Sequence, residues 1–265
     1  MTSDSVSDAG GTGSDGSNDA LVEALSIVRG ASERRIAVRL VGGLAVRVLC
    51  PDFPPRHRDA QDLDFVSVGP ARQGLTAFLS DLGYVPDRNF NALYGRKQLF
   101  FSHGETRRAV DVIIDRLEMC HALEFKDRIE RMPYTLDLPD LLLSKLQIVE
   151  LNDKDAQDIV YLLSTYPIRE SEESGVIDLN VFCRIVGDDW GWWRTVTMNL
   201  DRIESLLQDE RNRLVPKAAR FDPIEQLELL GRAADDAPKS LRWRMRARVG
   251  DRIRWYRSPE ETEHH

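Results

Sequence analysis

Two short apolar segments that each contain aspartate constrain the fold more than any other feature of this chain. Residues 62–68 (DLDFVSV) and 107–114 (RRAVDVII) are rich in β-branched residues and have the pattern of strands. Alternate residues of a strand point to the same side, so Asp62 and Asp64 project together while Leu63 and Phe65 face the core. Asp111 lies among apolar neighbours, where an unpaired carboxylate is costly. If the two strands are adjacent, the three carboxylates converge.

Such a cluster is electrostatically unfavourable unless cations lie between the carboxylates. Mg²⁺ prefers hard oxygen ligands and usually binds substrate phosphates as well, and Mn²⁺ accepts the same ligands. Two such ions would activate an attacking hydroxyl and stabilise a leaving pyrophosphate. The structural alternative is a common Asp-x-Asp pattern and an Asp111 that pairs with a nearby arginine. The candidate arginines are Arg58, Arg107 and Arg108.

A Gly-Gly pair, Gly42 and Gly43, follows a predicted strand over 36–41 and opens a predicted helix over 44–49. Glycines at such a position let the backbone approach a phosphate closely, and a helix N-terminus favours negative charge. The pair is therefore a candidate phosphate-binding turn, although a Gly-Gly turn between a strand and a helix is more often only a turn.

The first 115 residues alternate between helical and strand patterns. A helix with Asp19 as its N-cap begins the series, a third helix follows the one over 44–49 at 72–82, and residues 97–102 and 107–114 form a hairpin. The resulting order of helices and strands predicts an α/β or α+β unit around a mixed sheet.

The character of the chain changes after this unit. Two apolar periodic helices are predicted over 139–151 and 153–163, a charged linker over 169–175, and further helices over 178–257. We predict three regions from these patterns. They are a disordered acidic tail over 1–19, a core over 20–130 and a helical part over 131–265 with a basic C-terminal segment.

Composition excludes several protein classes. No stretch approaches the ~20 apolar residues that span a membrane, and the Ser/Gly/Asp-rich start lacks the pattern of a signal peptide. The three cysteines, Cys50, Cys120 and Cys183, lie far apart, which is typical of a reducing compartment and argues against structural zinc. The Walker phosphate-binding pattern is absent. We expect a cytoplasmic protein without membrane contact.

Taken together, these residues resemble the polymerase-β-type nucleotidyltransferase superfamily. Its pattern is a strand, Gly-Gly or Gly-Ser, a helix, Asp-x-Asp on the next strand and a third acid on a later strand. The interval from Gly43 to Asp62 is longer here than is usual in that family, which indicates an inserted loop over 51–58. The resemblance implies an α+β (α/β-like) nucleotidyltransferase core with a mixed β-sheet, followed by a helical C-terminal half.

The chain also resembles the AbiEii-like toxin branch and its minimal relatives. Arg58 stands four residues before Asp62, as a basic residue often does in that branch. Residues 138–146 (LPDLLLSKL) and 154–159 (KDAQDI) are similar to its helical Lys and Asp motifs. The resemblance implies that Lys145 contacts nucleotide phosphate.

The matching motif acid is Asp155 or Asp158, and the sequence does not decide between them. Both also lie near a helix start, where the dipole favours acids without any functional role. Lys145 has a structural alternative as well, since it would equally be a surface lysine paired with Asp140 or Glu150.

The segment from Lys239 to Arg257 is basic, with one Lys and seven Arg against one Asp, and it contains Trp and Tyr. Basic side chains bind phosphate backbones and aromatic rings stack on bases, so the segment fits RNA such as the end of a tRNA. The alternative, which we prefer, is an amphipathic helix whose Trp and Met residues face the protein while its arginines pair with the acidic body.

The resemblance implies an enzyme that transfers a nucleoside monophosphate from a nucleoside triphosphate to an acceptor hydroxyl with Mg²⁺ or Mn²⁺. The acceptor would be tRNA or a small hydroxylated molecule. Alternative hypotheses are a non-catalytic nucleotide- or RNA-binding module, and an interaction protein with an antitoxin-like partner. The candidate catalytic and metal-binding residues are Asp62, Asp64 and Asp111. The candidate nucleotide-binding residues are Gly42, Gly43, Arg58, Lys145, Asp155 and Asp158.

Overall fold

The computed structural model describes residues 15–52, 62–209 and 214–258, with side chains from residue 20 onward. The candidate residue Arg58 and most of the predicted acidic tail lie outside these ranges. Helix α1 (Asp15–Glu33) begins before the predicted N-cap Asp19, so the end of the predicted tail is helical.

A five-stranded mixed sheet forms the centre of the fold, in the order β1-β2-β5-β4-β3. Strands β2 and β5 are parallel, and the other neighbouring pairs are antiparallel. The predicted mixed sheet and the predicted hairpin, here β4 and β5, are therefore confirmed. The strands are β1 (Val38–Leu40), β2 (Leu63–Ser67), β3 (Tyr84–Pro86), β4 (Gln98–His103) and β5 (Ala109–Ile114).

Helices pack against the sheet, and this packing determines which strand residues are buried. Helix α1 packs against β1, α2 (Gly42–Leu49) against β2, and α3 (Arg72–Asp81) against β3. Leu63 and Phe65 of β2 are buried in the core, whereas Asp64 between them is only partly buried. The alternation in the sequence thus predicted the side of β2 that faces the core.

The second part of the chain is helical, as predicted. Helices α5 (Leu138–Leu146) and α6 (Asp153–Thr165) pack against each other, and α5 also contacts α7 and α8. The predicted charged linker lies between two short parallel strands, β8 (Ile168–Arg169) and β9 (Ile177–Asp178). The remaining helices are α7 (Leu179–Asp188), α8 (Trp190–Gln208), α9 (Pro223–Asp236) and α10 (Leu241–Ala247).

Buried residues from both parts form one continuous hydrophobic core, which fixes the helices relative to the sheet. No helix in the described part of the chain is both long and apolar enough to cross a membrane. The three cysteines are free thiols. The predicted boundary between a core and a helical part stays a prediction.

Several short elements were not predicted from the sequence. Among them are the strands β3, β8 and β9 and three further elements, α4 (Arg88–Tyr94), β6 (Arg116–Glu118) and β7 (Ala122–Glu124). Asp87 caps the N-terminus of helix α4, and its side chain accepts a hydrogen bond from the Phe90 N–H at 2.9 Å. Elements this short show too few repeats of a hydrophobic period to be recognised.

Candidate active site

Asp64 on β2 and Asp111 on β5 are direct neighbours across the sheet. The two strands are parallel and Asp64 lies opposite Asp111 in the register. In-register residues of adjacent strands, which are about 4.8 Å apart, point to the same face. The pKa of Asp64 is raised to about 7, first by burial and then by the negative charges of Asp111 and Asp62, while Lys145 lowers it. Strands β2 and β5 are therefore adjacent, as the predicted convergence of the carboxylates requires.

Asp62 has a looser position. It lies immediately before β2, whose pairing with β5 begins at Leu63, and its side chain is exposed. Within the described ranges, no three Asp, Glu, His or Cys side chains are grouped so that they could hold a metal ion. The site is therefore a facing pair, Asp64 and Asp111, with Asp62 beside it, rather than the preformed three-carboxylate cluster that the sequence suggested.

Gly42 brings the backbone of the glycine turn against Asp64. Its φ is +72°, in the left-handed region that favours glycine, and a Cβ at this position would lie 2.8 Å from Asp64 Oδ2. The N–H of Val41 also donates to the Asp64 carbonyl at 3.0 Å. Helix α2 starts at Gly42 rather than at Leu44, so Gly43 belongs to its first turn. The N-terminus of α2 thus lies beside the carboxylate of Asp64.

Lys145 on α5 is held by both candidate acids of α6. Its Nζ lies 2.7 Å from Asp155 Oδ1 and 3.1 Å from Asp158 Oδ2. Burial lowers the pKa of this ammonium, but the two carboxylates outweigh it and raise the pKa above its usual value. Asp155 and Asp158 therefore act together on Lys145.

The alternative partners suggested for Lys145 are wrong. Asp140 is fully buried and accepts hydrogen bonds from the Arg128 guanidinium at 2.7 and 2.6 Å.

These side chains surround one cleft with a volume of ≈ 750 Å³. Of the predicted site residues within the described ranges, five line it. They are Gly42, Asp64, Asp111, Lys145 and Asp155. The described residues Gly43, Asp62 and Asp158 lie beside this lining, since each adjoins or contacts one of its members.

Sequence reasoning missed several residues of the cleft. Gln98 on β4 donates from Nε2 to Asp111 Oδ2 at 2.6 Å and so orients that carboxylate. Phe90 and Tyr94 on α4 form an aromatic wall, with ring centroids 5.0 Å apart, and Tyr94 is 47% exposed. The spacing of two aromatic residues four apart after Asp87 was the available signal.

The basic C-terminal segment is only partly an amphipathic helix packed on the body. Trp243 is half-buried, Trp255 donates from Nε1 to Thr195 Oγ1 at 3.0 Å, and Arg242 pairs with Asp189 at 3.1 Å, in agreement with that interpretation. Met245, however, is 55% exposed and does not face the protein.

Comparison with known proteins gives weak likenesses. No family model and no curated protein matches the chain. The solution structure of the antibiotic-resistance factor ANT(2'')-Ia aligns at 15% identity over 56% of this chain and 83% of that chain, with a TM-score of 0.37. The crystal structure of an antigenic nucleotidyltransferase-like protein from Paracoccidioides brasiliensis aligns at 13% identity over 85% and 96%, with a TM-score of 0.41. Scores this low do not establish a shared fold.

Proposed function

We propose that the protein is a nucleotidyltransferase of the polymerase-β type, which moves a nucleoside monophosphate from a nucleoside triphosphate to an acceptor hydroxyl and releases pyrophosphate. The main support is the in-register pair of Asp64 and Asp111 against the turn at Gly42. Two facing carboxylates beside a residue without a side chain leave room for a divalent cation and a phosphate group.

The donor set fits Mg²⁺ or Mn²⁺. Carboxylate oxygens are the ligands that these ions prefer. Burial and like charge hold the pKa of Asp64 at about 7, and a divalent cation would offset both costs. Asp64 and Asp111 would be the principal ligands, with Asp62 as the third carboxylate from the start of β2. Bound divalent cations supply neutralisation of phosphate charge and activation of the acceptor hydroxyl.

The surrounding residues would bind and orient the nucleotide. Backbone N–H groups at Gly42 and Gly43 would contact a phosphate, because the first turn of α2 has unpaired donors and a favourable dipole. Lys145, held by its two acids, would offer its remaining N–H donor from the cleft wall to a phosphate oxygen of the triphosphate. The base would stack on Phe90 and Tyr94, a contact worth about 1–3 kcal/mol. Arg58 would also contact the nucleotide.

In the reaction, the acceptor oxygen forms a bond to the α-phosphorus while the bond from that phosphorus to the bridging oxygen of pyrophosphate breaks. The hydroxyl proton passes to the carboxylate of Asp111. Gln98 holds the other oxygen of that carboxylate by its hydrogen bond to Oδ2. The chain thus contributes position, charge and one proton acceptor, which are the main requirements of phosphoryl transfer.

The acceptor we propose to test first is tRNA, because the basic segment from Lys239 to Arg257 ends at the cleft. A small hydroxylated molecule is the alternative. We propose further that the protein belongs to the AbiEii-like branch, acts as a toxin and binds an antitoxin-like protein partner. The support for these three points is the resemblance over 138–159.

The test is a transfer assay with labelled nucleoside triphosphates, Mg²⁺, and either total tRNA or a panel of small hydroxylated molecules. We expect Asp64→Asn and Asp111→Asn each to reduce transfer by at least about a hundredfold, while the exposed Asp236→Asn leaves it unchanged. Transfer retained in either cleft variant would refute the assignment. Calorimetry with Mg²⁺ and triphosphate distinguishes an enzyme from a non-catalytic module, because such a module would bind nucleotide without turnover.

A further inference from the structure

The C-terminal segment of the chain returns to the candidate active site. After α10 the chain forms a short 3₁₀ turn at Gly250–Arg252 and then runs to the rim of the cleft. Arg257 and Ser258 line the cleft together with Asp64 and Asp111. Residues distant from the sheet in sequence therefore contribute to the same site.

Two hydrogen bonds anchor this segment. The indole Nε1 of Trp255 donates to Thr195 Oγ1 on α8 at 3.0 Å, and the backbone N–H of Arg257 donates to the carbonyl of Cys120 at 3.0 Å. Cys120 lies just beyond β6, and β6 follows β5 directly in the chain. The backbone of Arg257 is thus fixed beside the segment that follows β5, the strand that carries Asp111.

The guanidinium of Arg257 differs from the other cations of the cleft. Lys97 pairs with Glu118 at 2.6 Å, Arg116 also pairs with Glu118, and Lys145 is held by its two acids. Arg257 is exposed, and no acidic group in the described part of the chain pairs with it. Its charge is therefore available to a ligand in the cleft.

We propose that Arg257 binds the phosphate groups of the nucleoside triphosphate, so that the C-terminal segment completes the nucleotide site. This inference rests on the proposed function and adds a binding residue from outside the sheet. A guanidinium offers paired N–H donors that match phosphate oxygens, and it stays charged at every physiological pH. The paired cations of the cleft have less charge to offer a triphosphate than Arg257 has.

The test measures binding of α,β-methylene analogues of ATP, GTP, CTP and UTP by calorimetry, with Mg²⁺ and without acceptor. We expect Arg257→Ala to weaken binding of the preferred analogue about five- to tenfold, and Arg257→Lys to retain part of the affinity. Arg252→Ala removes the same charge from an exposed site outside the cleft lining and should change affinity less than about twofold. The uncharged nucleoside should bind equally to all variants.

Equal triphosphate affinity in Arg257→Ala and Arg252→Ala would overturn the inference. So would a loss confined to tRNA binding in a filter assay, because the phosphate would then belong to the acceptor. A wild type that binds triphosphate but transfers to no acceptor would refute the proposed function and leave the role of Arg257 intact. A wild type that transfers, with unaltered triphosphate affinity in Arg257→Ala, would refute this inference alone, and a wild type that binds no triphosphate would refute both.

Discussion

Replacing Gly42 by alanine tests the contact between the glycine turn and the carboxylate of Asp64. The φ of +72° costs a residue with a Cβ about 1–2 kcal/mol. The new Cβ would also lie 2.8 Å from Asp64 Oδ2, well inside van der Waals contact, so the carboxylate must shift from its position. At about 2–4 °C per kcal/mol for a chain of about this size, the melting temperature should fall by about 2–8 °C.

Gly175→Ala is a matched control. Gly175 has a φ of +85°, but nothing lies within 4 Å of its Cβ position, and it is in the turn between β8 and β9, outside the cleft lining. Both variants should lose similar stability from backbone strain. Only Gly42→Ala should also lose transfer, by at least about a hundredfold, because only there is Asp64 displaced.

Differential scanning calorimetry and the labelled-triphosphate transfer assay measure the two effects separately. Full transfer activity in Gly42→Ala would show that the turn does not shape the site. An equal loss of activity in Gly175→Ala would show that strain alone reduces activity, and the reasoning from the Asp64 contact would then be wrong.

Two further predictions concern the aromatic wall and a buried histidine. Tyr94→Ala should weaken triphosphate binding about fivefold while Tyr94→Phe binds normally, since base stacking needs the ring and not the hydroxyl; equal affinities measured by calorimetry would exclude stacking there. Burial lowers the pKa of His121 from 6.5 to about 4, so between these pH values the unfolded chain binds a proton that the folded chain does not, and the free energy of unfolding falls as pH falls. His121→Gln, which keeps a donor toward Thr195, should remove about 3 kcal/mol of that fall in urea unfolding at pH 4 to 7, and an unchanged pH dependence would contradict a neutral buried His121.

Local patterns were sufficient to predict the mixed sheet, the β4–β5 hairpin and the side of β2 that faces the core. Alternation at Leu63, Asp64 and Phe65 determines which side chains are buried once a sheet exists. The pairing of Asp64 with Asp111 is different, because β2 and β5 are parallel and far apart in sequence. No local pattern encodes that register, so the sequence supported convergence only on the condition that the strands are adjacent.

Side chains whose partners are distant in sequence were predicted less well. Lys145 looked like a surface cation paired within its own helix or a free phosphate ligand, and its two acids on α6 became apparent only from the packing of α5 on α6. Arg257 reaches the cleft through anchors at Thr195 on α8 and at Cys120 beyond β6, which lie near it only in the folded chain. Asp62, at a strand start, was predicted as a metal ligand equal to Asp64, although the pairing of β2 with β5 begins one residue later.

The most direct test of the central claim is a crystal structure of the protein soaked with Mn²⁺ and a non-hydrolysable triphosphate analogue. We expect an anomalous Mn²⁺ peak within bonding distance of the carboxylates of both Asp64 and Asp111, with the triphosphate between the Gly42 turn and Lys145. A triphosphate bound elsewhere, or Mn²⁺ peaks that touch neither aspartate, would contradict the account.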